Sequence, residues 1–155
     1  MIAKPQPFSG LTPDAVLDAA ASAGFEGGGR LFALNSYENR VYRLGEATDA
    51  VVLKFYRPER WSDAQIEEEH AFALELTAAE LPVAAPIAVE GRTLLRFREF
   101  RFAVFACLAG RAPELDAPDA RLIVGRTLAR IHAVGATRSF RARPRIGIER
   151  LGLQA

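Results

Sequence analysis

The chain has 155 residues, half of them hydrophobic and a quarter charged, with a formal net charge of +1. That length suits one domain with a real core, and the composition excludes disorder, whose signature is low hydrophobicity with high net charge. A near-neutral balance argues against a dedicated nucleic-acid binder, and no apolar run approaches the roughly 20 residues of a membrane helix. Pro5 and Pro7 interrupt the opening MIAKPQPF, where a signal peptide needs an unbroken apolar stretch. The single cysteine, Cys107, cannot form an internal disulfide, so a reducing cytoplasm is the expected compartment. Its place in FAVFACL reads as a buried, inert thiol. Two separated histidines, His70 and His132, with no Cys/His cluster, predict no metal centre.

The first predicted element is a helix over 13–23. Thr12 is its N-cap, Pro13 suits the first helical position, Leu11 and Val16 have staple spacing, and Gly24 ends it. Gly27-Gly28-Gly29 reads as a flexible turn, because it precedes the first strand and fits neither G-x-G-x-x-G nor a Walker A spacing. RLFALN and RVYRL read as strands separated by a polar loop over 35–39, and the turn GEATDA leads to a third strand over 50–56. A second helix over 63–79 opens with Ser62 and Gln65 in capping-box spacing, and the proline-bearing segment 81–86 stops it. Two further strands are expected, 87–89 extended by 93–97, and 101–108. A connector with Gly110 and Pro113 precedes a helix over 119–134, closed by Gly135. Short connections between strands imply antiparallel hairpins. The predicted fold class is therefore α+β, an antiparallel sheet with the 63–79 helix as its cover.

Of 20 basic residues only Lys4 and Lys54 are lysines. On the third strand Lys54 shares a face with Val52 and Tyr56, away from Leu53 and Phe55. An unpaired ammonium is costly to bury, so Lys54 must be exposed, snorkelled or paired. One reading is an exposed strand lysine; the other is a phosphate-binding lysine partnered by a carboxylate of the following helix. That helix presents Glu67, Glu68 and Glu69 in a row. Successive helical residues point about 100° apart, so one or two of the three can face the sheet and the rest are solvated.

The segments LNSYENRVYRL, VVLKFYRPERW, EEEHAFALEL, LPVAAP, FAVFACLAGR and GRTLARIHAVG resemble the aminoglycoside phosphotransferase/choline kinase-like superfamily, with VVLKFYRPERW the most specific stretch. The resemblance runs from about Asn35 to Gly147 and implies a protein-kinase-like small lobe over 1–107, with the hinge exit and first linking helix of a large lobe over 108–155. It implies ATP as a ligand, with Lys54 on the α- and β-phosphates and Glu69, or second Glu68, as its partner. Ser36 and Asn39 would reach the phosphates from a loop that lacks the glycines of protein kinases, and the Ala106 carbonyl and Leu108 amide would hold adenine at the hinge. His132 reads as structural rather than as a base, and Arg138, Arg141, Arg143 and Arg145 as solvated or inter-lobe contacts.

The family's H-G-D-x-x-x-x-N loop and later Asp, which supply the base and the Mg²⁺ ligands, have no counterpart here: Asp14, Asp18, Asp49, Asp63, Asp116 and Asp119 stand outside any such motif. The chain is therefore expected to be a fragment of a serine/threonine kinase, inactive alone. Its expected partners are ATP and a protein Ser/Thr hydroxyl or a small-molecule alcohol, with no nucleic acid and no membrane. A non-catalytic nucleotide-binding or regulatory module, and a kinase of aminoglycoside-, choline- or homoserine-like alcohols, remain open readings.

Overall fold

The computed structural model describes residues 6–26, 28, 30–46 and 49–148. The order is α1 (Pro13–Ser22), β1 (Leu31–Leu34), β2 (Arg40–Leu44), β3 (Val51–Phe55), α2 (Asp63–Ala78), β4 (Leu95–Phe97), β5 (Phe100–Ala106) and α3 (Pro118–Gly135). The strands form one antiparallel five-stranded sheet in the order β1-β2-β3-β5-β4. The expectations for Lys4, for Gly27 and Gly29, for the middle of the 45–50 turn and for the end of the tail lie outside the described residues.

Helix ends follow local rules. Thr12 Oγ1 accepts from the Ala15 N–H at 3.2 Å, and Ser62 and Gln65 make both bonds of a capping box. α1 closes in a Schellman turn, with the Gly24 N–H on Ala21 O, the Phe25 N–H on Ala20 O, and Gly24 at φ +84°. α2 closes in the same way on Leu76 and Thr77, but the left-handed position is Glu80, at φ +58°. Arg130 of α3 then donates to the carbonyls of Ala79 and Glu80, satisfying acceptors that the end of α2 leaves open.

Both faces of the sheet are covered. Alternation along β3 sends Leu53 and Phe55 to one side, where they meet Leu44, Phe100, Phe102 and Val104, and the α1 residues Val16, Ala19 and Ala20. Phe55 stacks on Phe102 with ring centroids 5.2 Å apart. Each fully buried Phe, Leu or Val side chain here contributes about 1.5–3 kcal/mol, so this is the main core. On the other side a smaller cluster joins Tyr56 and Ala103 to Ile66 of α2. The expected cover, α2, is thus present, but α1 forms the larger packing layer.

Three expectations need correction. Residues 87–89 are not a strand. Pro86 has no N–H to give, and Val89 and Arg92 exchange backbone hydrogen bonds across Glu90 and Gly91, both at positive φ, in a tight turn. A single bridge, Pro86 with Phe105, follows the sheet edge there, with the Ile87 N–H bonded to Val104 O at 2.7 Å. Cys107 is half-buried rather than buried, because β5 ends at Ala106 and the chain leaves the sheet there. His132 is exposed on α3 rather than packed.

A left-handed conformation costs an L-residue about 1–2 kcal/mol, and glycine's extra unfolded freedom takes back about 0.4–1 kcal/mol. Glu80 is exposed. Glu80→Gly is therefore expected to raise the unfolding free energy by roughly 0.5–1 kcal/mol in a urea titration. A lowered midpoint would show that the Glu80 conformation carries no strain.

Candidate functional site

β3 carries Lys54 on the face that looks toward α2, and α2 brings Glu69 to it: Nζ lies 3.1 Å from Oε1. The ammonium also sits 4.9 Å from the centroid of the Tyr56 ring, which is next along the same face. The Lys54 side chain is 25% exposed and that of Glu69 40%, so the pair is partly open to solvent rather than in the core. Burial, then the neighbouring Arg143 charge, pulls the Lys54 pKa below its ordinary 10.5, while Glu38 pulls it the other way.

The three glutamates of α2 separate by helical angle. Glu67 points outward and is exposed. Glu69 faces Lys54. Glu68 is not simply solvated: its carboxylate accepts the backbone N–H groups of Arg141, Ala142 and Arg143 at 2.5, 2.9 and 2.7 Å. Those bonds, Arg141's first, hold its pKa below the ordinary 4.5. Two of the tail arginines are correspondingly engaged with α2. Arg138 pairs with Glu75, and Arg143 pairs with the second oxygen of Glu69 while its guanidinium lies 4.4 Å from the Trp61 ring.

Beneath the ion pair lies a polar chain that the sequence reading missed. The Tyr56 hydroxyl and His70 Nε2 are 2.6 Å apart, and His70 Nδ1 is 2.9 Å from Thr93 Oγ1. His70, 2% exposed, is the one buried charged or polar side chain among the described residues. Burial first, and the Lys54 charge second, push its pKa down to about 4. Burial also raises the Tyr56 pKa, so both groups are neutral at physiological pH. His70 directly follows Glu69, which puts a second β3–α2 contact one position along from the first.

The loop over 35–39 meets the end of β3. Asn39 Oδ1 accepts the Arg57 N–H at 3.2 Å, so this side chain shapes the loop. Ser36 is half-buried, Tyr37 stands fully exposed at the tip, and Glu38 pairs with Arg60 at 2.6 Å. At the opposite end of the sheet the Cys107 N–H bonds Ala50 O at 3.2 Å. By the alternation of an antiparallel ladder, the Ala106 carbonyl then points away from β3, the same way as the Val104 carbonyl that receives Ile87, and the Leu108 N–H lies beyond the end of β5. Among the described residues neither group bonds another backbone group. Also among the described residues, no group of three or more His, Cys, Asp or Glu is placed to hold a metal ion, and no helix is long and apolar enough to cross a membrane.

Lysine on β3, glutamate on the covering helix and an unpaired strand exit is the layout of a kinase small lobe. A family model described as the phosphotransferase enzyme family matches residues 31–154. The chain belongs to this phosphotransferase family. It is 48% identical over 142 residues to stress response kinase A of Salmonella choleraesuis (strain SC-B67) and to serine/threonine protein kinase RdoA of Salmonella typhimurium (strain LT2). It is 49% identical to stress response kinase A of Escherichia coli (strain K12). These alignments cover 91% of this chain and 43% of each relative, so the chain spans less than half the length of the proteins it matches. Among solved structures, amicoumacin kinase hAmiN in complex with AMP-PNP, Ca²⁺ and Ami superposes with a TM-score of 0.63 over 72% of this chain and 36% of that one. At 21% identity this likeness shows the fold alone.

A depressed histidine pKa makes a folded protein lose stability where the unfolded chain binds the proton first. For His70 that window runs from its ordinary 6.5 down to about 4, with no contribution above it. Melting temperature is expected to fall as pH drops through this window, and His70→Gln, which cannot charge, to flatten the slope. An unchanged slope in the variant would show that His70 does not carry the effect.

Proposed function

We propose that this chain is the nucleotide-binding part of an ATP-dependent serine/threonine kinase. Residues 1–107 form its small lobe and 108–155 the hinge exit and start of its large lobe. The observation that carries the reading is the Lys54–Glu69 pair on a sheet whose exit strand leaves the Ala106 carbonyl and Leu108 N–H unpaired by backbone. The names of the relatives, kinases of stress response and of serine/threonine residues, support it.

In this reading Lys54 holds the α- and β-phosphates and Glu69 keeps the ammonium from swinging away. The half-buried setting strengthens the lysine's hold on an anion, because few waters compete for it. Ala106 and Leu108 offer one acceptor and one donor to the edge of adenine. Ser36 approaches the phosphates from the loop, and Asn39 contributes by holding that loop to Arg57. ATP with Mg²⁺ supplies the phosphoryl group and the charge neutralisation for its transfer. This sequence has no H-G-D-x-x-x-x-N loop, so the base and metal ligands belong to a segment it does not carry, and the chain alone is expected to be inactive. A protein hydroxyl is the proposed acceptor and the cytoplasm the proposed compartment. The name amicoumacin kinase makes a small-molecule alcohol the rival acceptor.

Lys54→Met in the full-length protein tests the reading. Glu69 keeps Arg143 as a partner, so the substitution leaves no orphaned carboxylate and folding is expected to survive. ADP release at varied ATP is expected to lose roughly 100-fold or more in kcat/KM. Wild-type turnover in the folded variant would remove Lys54 from the mechanism. Labelled phosphate appearing on small alcohols and on no protein would replace the acceptor.

A further inference from the structure

One face of α2 is given over to the chain beyond α3. Gln65, Glu68, Glu69, Phe72 and Glu75 follow helical spacing and form a single stripe. Each meets the segment 138–143, which runs antiparallel to the helix. Gln65 Nε2 donates to Ala142 O at 3.0 Å, Glu68 takes the three N–H groups of 141–143, and Glu69 pairs with Arg143. Phe72 meets Phe140 edge to face at 5.3 Å, and Glu75 pairs with Arg138.

The contacts differ in kind. The Arg138–Glu75 pair is exposed, where ion pairs contribute little. Glu68 is the organising contact. Successive backbone N–H groups turned inward make an anion-binding hollow, and here the anion is a side chain of the same protein. Its position bears directly on the site. The Arg143 N–H is held by Glu68 while the Arg143 guanidinium holds one oxygen of Glu69, whose other oxygen holds Lys54. Three contiguous contacts therefore link Glu68 to the ammonium.

We propose that Glu68 is a positioning residue of the nucleotide site: by capturing the backbone of 141–143 it fastens α2 to the chain beyond α3 and orients Glu69 for Lys54. This rests on the reading of Lys54 and Glu69 as the phosphate site. It assigns the middle glutamate of the run a task separate from its neighbour's, and makes the grip on ATP depend on a segment remote in sequence. Loss of the fastening acts on where Lys54 sits, so it shows in KM for ATP; a loss of folded protein shows in kcat.

The experiment compares Glu68→Gln, Glu67→Gln and Lys54→Met in the full-length protein, with ADP release at varied ATP in the presence of Mg²⁺ and hydrogen exchange of the 141–143 amides. Glu68→Gln keeps the size of the side chain but sets an amide against three donors. It is expected to accelerate exchange at 141–143 and raise KM for ATP about tenfold with kcat within about twofold. Glu67→Gln, which removes the same charge from the exposed side of α2, is expected to change neither. Lys54→Met is expected to abolish turnover while the 141–143 amides stay protected. If Glu68→Gln frees those amides and leaves KM at the wild-type value, or leaves the amides protected, the proposal falls alone. If turnover survives Lys54→Met, the nucleotide reading falls and takes the proposal with it.

Discussion

A lysine ammonium on the inner face of a sheet must find a counter-charge within the same half-buried space, and the arrangement around Lys54 follows from that requirement. β3 presents Lys54 to α2 because its neighbours Leu53 and Phe55 claim the opposite, fully apolar side. The capping box at Ser62 sets where α2 begins, and so which of its glutamates reaches the ammonium. Glu69 arrives, and its second oxygen takes Arg143. Two cations then share one carboxylate, with Glu38 adding negative charge from the loop side. Both the lysine and Arg143 are partly desolvated, so few waters compete for them where a polyanionic ligand is proposed to lie.

The two faces of the sheet differ in character. The α1 face is dry: aromatic rings from β3 and β5 stack there, and small alanines let the helix approach. The α2 face holds few apolar residues and instead a chain of polar contacts, Lys54 with Glu69 and Tyr56 with His70 and Thr93. A helix attached mainly by hydrogen bonds and ion pairs has a position set by geometry more than by packing area, because such contacts are directional. The His70 contact and the 138–143 segment grip α2 from two sides, one buried beneath it and one along its outer stripe. α3, by contrast, leaves Leu122, Ile123 and Leu128 about half-exposed, as an apolar surface.

Features whose physics is local were legible in the residues. Thr12 and Ser62 cap helices because their oxygens need only reach a donor three positions on, and Gly24 ends α1 because it accepts positive φ cheaply. The strand alternation around Lys54 likewise needed nothing beyond the neighbouring sequence, whereas helical angle left the choice among Glu67, Glu68 and Glu69 open. The strand expected over 87–89 failed on a local signal: Pro86 and the Glu90-Gly91 pair mark a turn, and the apolar run between them concealed it. Asn39 was recognised as a loop residue, but its bond to Arg57 belongs to the way β2 and β3 come together.

The amino-acid order alone thus determined the helices, the antiparallel α+β class, the face on which Lys54 lies and, through the family resemblance, Glu69 as its partner. Tertiary structure decided what the other charges do. Glu68 is as acidic as Glu67 and Glu69, and only the fold brings it the amide of Arg143 from 75 positions away. His70 carries no mark of burial in its surroundings until Tyr56 and Thr93 close around it. Helix caps and strand alternation are set by backbone geometry over a few residues. A charge acquires its role from whatever desolvates and pairs it, and those groups arrive only when distant segments pack.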